Sequence, residues 1–170
     1  MKINHPLFLT ILLIPLFVTN TFSQSATHLL TFLPDTIGEF VVSKKVADEK
    51  EQTKLHINND TLFARVQRCY DSPKGLRVFL AIIHGSGVSY TIERTFSKDG
   101  TAIKILNYDA IVWQDKNFSN CVGGSVKVRD NMMATAIVMG TTDKKYPKSI
   151  LGKLDLKRLS VANQVLKLTE

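Results

Sequence analysis

The stretch from Thr61 to His84 constrains the fold more than any other, because it reads as two strands joined by the turn Asp71-Ser72-Pro73-Lys74-Gly75. Leu76 to His84 is apolar on both parities except at Arg77 and His84, the pattern of a strand in the middle of a sheet covered on both faces. Thr61 to Tyr70 alternates instead. Leu62, Ala64, Val66 and Tyr70 fall on one side and Arg65, Gln67 and Cys69 on the other, as in a half-buried strand. The turn between them has the chemistry for reversal: Asp and Ser bond the backbone, Pro fixes φ and Gly supplies positive φ.

The same two patterns return later. Cys121 to Arg129 alternates, with Val122, Gly124, Val126 and Val128 opposite Cys121, Ser125, Lys127 and Arg129. After the tight turn Asp130-Asn131, Met132 to Met139 is apolar on both parities and predicts a second central strand. Glu39 to Lys45 is expected as a short first strand, and Val46 to Asn59 as a polar loop that begins a strand near Leu55 and Ile57. Thr101 to Leu106 and Ala110 to Gln114 suggest a hairpin closed through Asn107-Tyr108-Asp109. Val88 to Phe96 is open: Val88, Tyr90, Ile92 and Phe96 alternate as in a strand, whereas Val88, Ile92 and Phe96 lie four apart as on a helix. Tyr146-Pro147 can start a helix that carries Ile150, Leu151 and Leu154 inward. These segments predict an α+β fold, a single domain with a mainly antiparallel sheet of six or seven strands and one or two helices.

Residues 1–23 read as a secretory signal peptide. Lys2 precedes the apolar block Leu7 to Val18, and small polar residues follow it, favouring cleavage before Gln24 or, as a second choice, after Ser25. The block is interrupted by Pro15 and falls short of the roughly 20 apolar residues of a spanning helix, so no transmembrane segment is expected in the mature chain. Residues 24–160 make one domain and 161–170 a tail. A periplasmic or extracellular location follows as an expectation.

The full chain carries a net charge of +7. Its basic pairs, Lys44-Lys45, Lys144-Lys145 and Lys157-Arg158, never gather into the runs that mark nucleic-acid patches, so no specific nucleic-acid site is expected. The expected partners are an envelope or extracellular protein or an anionic polymer held by weak, salt-sensitive contacts.

Leu33-Pro34 with Ile37-Gly38 near the mature start, the strand end Arg68-Cys69-Tyr70, and the closing run Leu154-Asp155-Leu156-Lys157-Arg158-Leu159 together carry a resemblance. The chain resembles small exported bacterial proteins of uncharacterised function, broadly similar to the Mog1/PsbP-like α/β sandwich. That resemblance implies a helix at Val88 to Phe96 covering one sheet face, a bacterial source and no catalytic residue to carry over.

His84-Gly85-Ser86-Gly87 invites comparison with the oxyanion loops of esterases, which makes His84 and Ser86 a candidate loop site. The nearest approach to a nucleophile elbow, Gly123-Gly124-Ser125-Val126-Lys127, lacks the final Gly and lies in a strand. His28, His56, His84, Cys69 and Cys121 fall in no metal-ligand spacing, no phosphate-cradling or cofactor fingerprint is present, and most carboxylates sit in turns. The sequons at Asn59 and Asn117 matter only in a eukaryotic host. Two cysteines in an exported chain favour a structural disulfide between Cys69 and Cys121, both opposite the Leu/Val rows of their strands, with two unpaired thiols as the other reading. The expectation is therefore an exported, non-enzymatic binding or interaction module without catalytic residues, metal or cofactor. The alternative is a small exported hydrolase using Ser86 or Ser125 with His84.

Overall fold

The computed structural model describes residues 27–55, 61–85, 88–96 and 100–162, and, of these, not the side chains of 51–55 and 61–63. The signal-peptide expectation, His56, Asn59, Ser86 and most of the expected tail lie outside the described residues. Nine strands form one sheet: β1 (Thr36–Ile37), β2 (Phe40–Val42), β3 (Glu49–Leu55), β4 (Thr61–Asp71), β5 (Arg77–Gly85), β6 (Thr101–Ile105), β7 (Tyr108–Gln114), β8 (Cys121–Arg129) and β9 (Met132–Met139). Among the described residues three helices accompany it, α1 (Val88–Phe96), α2 (Lys145–Leu151) and α3 (Leu156–Val161). Residues 27–30 are also helical. The α+β architecture and the antiparallel sheet agree with the sequence reading, but the strand and helix counts exceed it.

The strand order is β1-β2-β4-β5-β9-β8-β7-β6, with β3 pairing the first part of β4, and every pairing is antiparallel. The two segments that are apolar on both parities, β5 and β9, pair with each other at the centre of the sheet. The extra strands are β1, of two residues, and β3, whose sequence Glu-Lys-Glu-Gln-Thr-Lys-Leu is charged at four of seven positions. Such charge blunts an exposed edge against further pairing.

Two turns differ in kind. Between β4 and β5, Ser72 closes a loop in which its backbone N–H donates to the Leu76 carbonyl (2.9 Å) and its hydroxyl accepts from the Leu76 N–H (3.2 Å). Between β6 and β7 the turn is two residues, Leu106 (φ 49°) and Asn107 (φ 73°), so Tyr108 and Asp109 belong to the strand rather than to the connection. Positive φ at both centres matches the twist of the flanking strands.

One face of the sheet, here the inner face, carries Ala64, Val66, Tyr70, Val78, Leu80, Ile82, Val122, Val126, Ala134, Ala136 and Val138, all buried. Leu29, Leu33, Ile37 and Phe40 from the N-terminal segment and Ile150, Leu151, Leu156 and Leu159 from α2 and α3 cover them. Close approach of α2 depends on Gly124, where a Cβ would lie 3.0 Å from that of Pro147. The closing Asp-Leu-x-x-Leu run is a capped helix: Asp155 Oδ1 accepts from the Arg158 N–H (2.8 Å), and Leu156 and Leu159 project together into the core.

On the opposite, outer face, α1 covers only one end. Val88 and Ile92 pack on Met133 and Ile83, with Phe96 beside them. The segment open in the sequence is thus a helix, and Tyr90, which gave it a strand-like alternation, is exposed.

Candidate functional site

Among the described residues, those singled out by sequence do not converge. His84, on the inner face, is buried and its Nε2 lies 3.4 Å from Asn131 Nδ2. Ser125, on the outer face, is fully buried and shares a 2.7 Å hydrogen bond with Thr135. His84 pairs in register with Met132 and Ser125 with Thr135, three residues apart on β9, so the sheet stands between the two side chains. His28 meets the edge of the Phe32 ring, and among the described residues no three His, Cys, Asp or Glu side chains gather as a metal set.

The expected disulfide between Cys69 and Cys121 is not formed; both residues are buried free thiols. Register does place them on the same outer face, through the rows Cys69-Phe79-Ile137-Gly123 and Asp71-Arg77-Met139-Cys121. But β5 and β9 lie between β4 and β8, which sets those two strands about 14 Å apart at the usual spacing, and the cysteines, in rows two residues apart, farther still. A disulfide needs Cα atoms roughly 4.4–6.8 Å apart, so strand order forbids what strand parity allowed. Burial pushes both thiols above their ordinary pKa, which keeps them protonated and poorly nucleophilic at neutral pH.

A polar cluster that the sequence analysis did not assign binds the N-terminal segment to β4. Arg68 Nε and Nη2 clasp the Asp48 carboxylate (2.8–3.1 Å), while Nη1 donates to Asp35 Oδ1 (3.0 Å) and to the Leu33 carbonyl. Two residues on, the Tyr70 hydroxyl donates to the Pro34 carbonyl (2.8 Å). Bonding to Asp48 strengthens the hold of Arg68 on its proton, and burial pushes the Tyr70 phenol well above its ordinary range. Among the described residues no buried side-chain polar atom lacks a partner, and this cluster is a staple rather than a reactive centre. The signal available in the sequence was Arg68, a charge on the apolar parity of the strand between Val66 and Tyr70.

The remaining candidate is the uncovered half of the outer face. Phe79 is half-buried, and Ile137 and Met139 keep 37% and 42% of their surface in solvent. Trp113 lies across Gly123, where a Cβ would come within 2.5 Å of the indole, so the missing side chain is what lets the ring lie flat on the sheet. No described helix covers this row. No known protein family, curated protein or solved structure matches this chain. The site is therefore argued from its own residues.

Met139 also lines a cleft of about 450 Å³ at the end of the row, together with Leu76, Lys45, Arg77 and Asp71. Asp71 accepts from Arg77 Nε (2.8 Å) and from the Ser43 hydroxyl (2.6 Å), and these bonds hold its carboxyl below the usual carboxylate range. The cleft thus couples an apolar wall to two cations and one already engaged carboxylate. Such an arrangement can bind and orient a chain; the Ser43 hydroxyl that meets Asp71 faces a carboxyl made less basic by its bonds to Arg77 and Ser43, which is poorly suited to activate it.

Proposed function

We propose that the chain is a non-catalytic interaction module, exported to the periplasm or the cell exterior, that receives a partner protein on the open half of its outer sheet face. The observation that carries this reading is the group Phe79, Ile137, Met139 and Trp113, half-buried or exposed on the outer face, on a sheet whose inner face is packed against the N-terminal segment, α2 and α3. Large apolar side chains held at such a surface are the usual core of a protein interface. The adjoining cleft favours a segment that lays apolar side chains along the row and brings an acidic group to Lys45 and Arg77. Separation of His84 from Ser125 and the suppressed reactivity of both thiols support binding over turnover. The export part of the reading rests on the N-terminal sequence alone.

A photo-reactive residue at position 137 tests this, with a second at Lys153, exposed between the helices of the inner face. In envelope fractions, position 137 is expected to capture a defined protein, and Met139→Glu to abolish the capture; position 153 captures none. Equal capture from both positions would contradict the reading, as would ester, peptide or glycoside turnover abolished by His84→Ala.

A further inference from the structure

A second surface lies at the far edge of the sheet. The β6–β7 turn and α2 border a cleft of about 330 Å³ lined by Lys104, Lys145 and Lys148 and by Ile105 and Leu106 on the turn side. Lys145, Lys148 and Gly152 recur at i, i+3 and i+7, so one stripe of the helix meets the turn. Among the described residues no carboxylate lines the cleft; Asp109, which pairs with Lys104, is not part of the lining.

Leu106 is the unusual member. It occupies the first centre of a two-residue turn at φ 49°, a place that suits Asn, Asp or Gly, and 61% of its surface is exposed. Neither turn chemistry nor core packing accounts for a leucine there. An apolar tip ringed by lysines, whose long stems can lie along hydrocarbon while their charges reach outward, fits the boundary of a bilayer. We propose that this corner docks onto an anionic lipid surface, with Leu106 entering the headgroup boundary and Lys145 and Lys148 contacting the phosphates, while Lys104 stays paired with Asp109. A soluble polyanion would use the lysines but leave Leu106 in water, and the leucine is what favours the lipid.

Vesicle flotation at ~0.1 M salt, with phosphatidylcholine alone or with about one third phosphatidylglycerol, tests the proposal. Each variant is compared with a parent chain of the same N-terminus, so that any contribution from residues 7–18 is common to both. Lys145→Gln with Lys148→Gln should lower partition onto the anionic vesicles by about 25-fold, roughly fivefold per lysine, and remove most of the difference between the two vesicle types. Leu106→Asn should lower it by about tenfold. Because asparagine tolerates positive φ, that variant should melt no lower than the parent, separating a membrane role from a structural one. Unchanged partition in either variant would overturn the proposal. So would displacement of the parent by inorganic phosphate together with heparin binding as tight as vesicle binding, the pattern of a lysine-only anion site.

Discussion

Two rows of the sheet, one residue apart in register, show how differently its faces are used. On the inner face Tyr70, Val78, Val138 and Val122 line up across β4, β5, β9 and β8 and are buried to within 1%. On the outer face the next row is Cys69, Phe79, Ile137 and Gly123, in which the cysteine is buried, Phe79 half-buried and Ile137 exposed. Both rows are apolar, but only one is covered. The inner row stabilises the fold, whereas the outer row leaves large side chains available at a surface, so equal hydrophobicity on the two faces does not mean equal contribution to stability.

That contrast gives graded expectations. Leu80→Ala on the inner face should destabilise by ~3 kcal/mol, transfer and cavity effects together, as read from denaturant melts. Arg68→Ala should cost about 2 kcal/mol, below the figure for a fully buried pair because Arg68 and Asp48 keep 13% and 25% of their side-chain surface. Its loss should also release the N-terminal segment first, seen as faster amide exchange in residues 33–37 with β5 and β9 still protected.

Tyr70 adds a pH dependence. Its folded pKa is raised by burial, so the stabilisation is complete below the ordinary tyrosine range near ~10 and is lost as pH climbs from there through the folded pKa. In absorbance titration, the phenolate signal missing from Tyr70→Phe should emerge only together with unfolding. Emergence from the intact fold would break the link between Tyr70 and the staple. Ile137→Thr, at the exposed row, should change stability by less than ~0.5 kcal/mol; a loss near that of Leu80→Ala would show that the outer face is as covered as the inner one.

Which parts were legible follows from what local pattern can encode. β5 and β9 were readable as strands because both are apolar on both parities, and β4 and β8, which also have neighbours on both sides, because theirs alternate; the cover on both faces that the first pattern implied is present only at the α1 end of the outer face. β3 was not, since an edge strand needs no apolar side and Glu49–Leu55 has almost none. α1 was ambiguous because Tyr90 adds an exposed aromatic to the buried set Val88, Ile92 and Thr95. For the cysteines, parity was readable but strand order was not, and the pairing failed on the intervening β5 and β9. The candidate docking row was hidden for a related reason: alternation tells which residues share a face, and only the positions of the helices tell which face is left open.

Methionine oxidation measures that openness most directly. Met139 lies on the outer face, in the row next to that of Ile137, at 42% exposure, Met132 in the inner core at 0% and Met133 beneath α1 at 3%. Under mild peroxide the account predicts that mass spectrometry finds sulfoxide at Met139 while Met132 and Met133 stay reduced until the chain unfolds. Oxidation of Met139 as slow as that of Met132 would mean that the outer row is already covered in the isolated chain, and the proposed docking face would not exist.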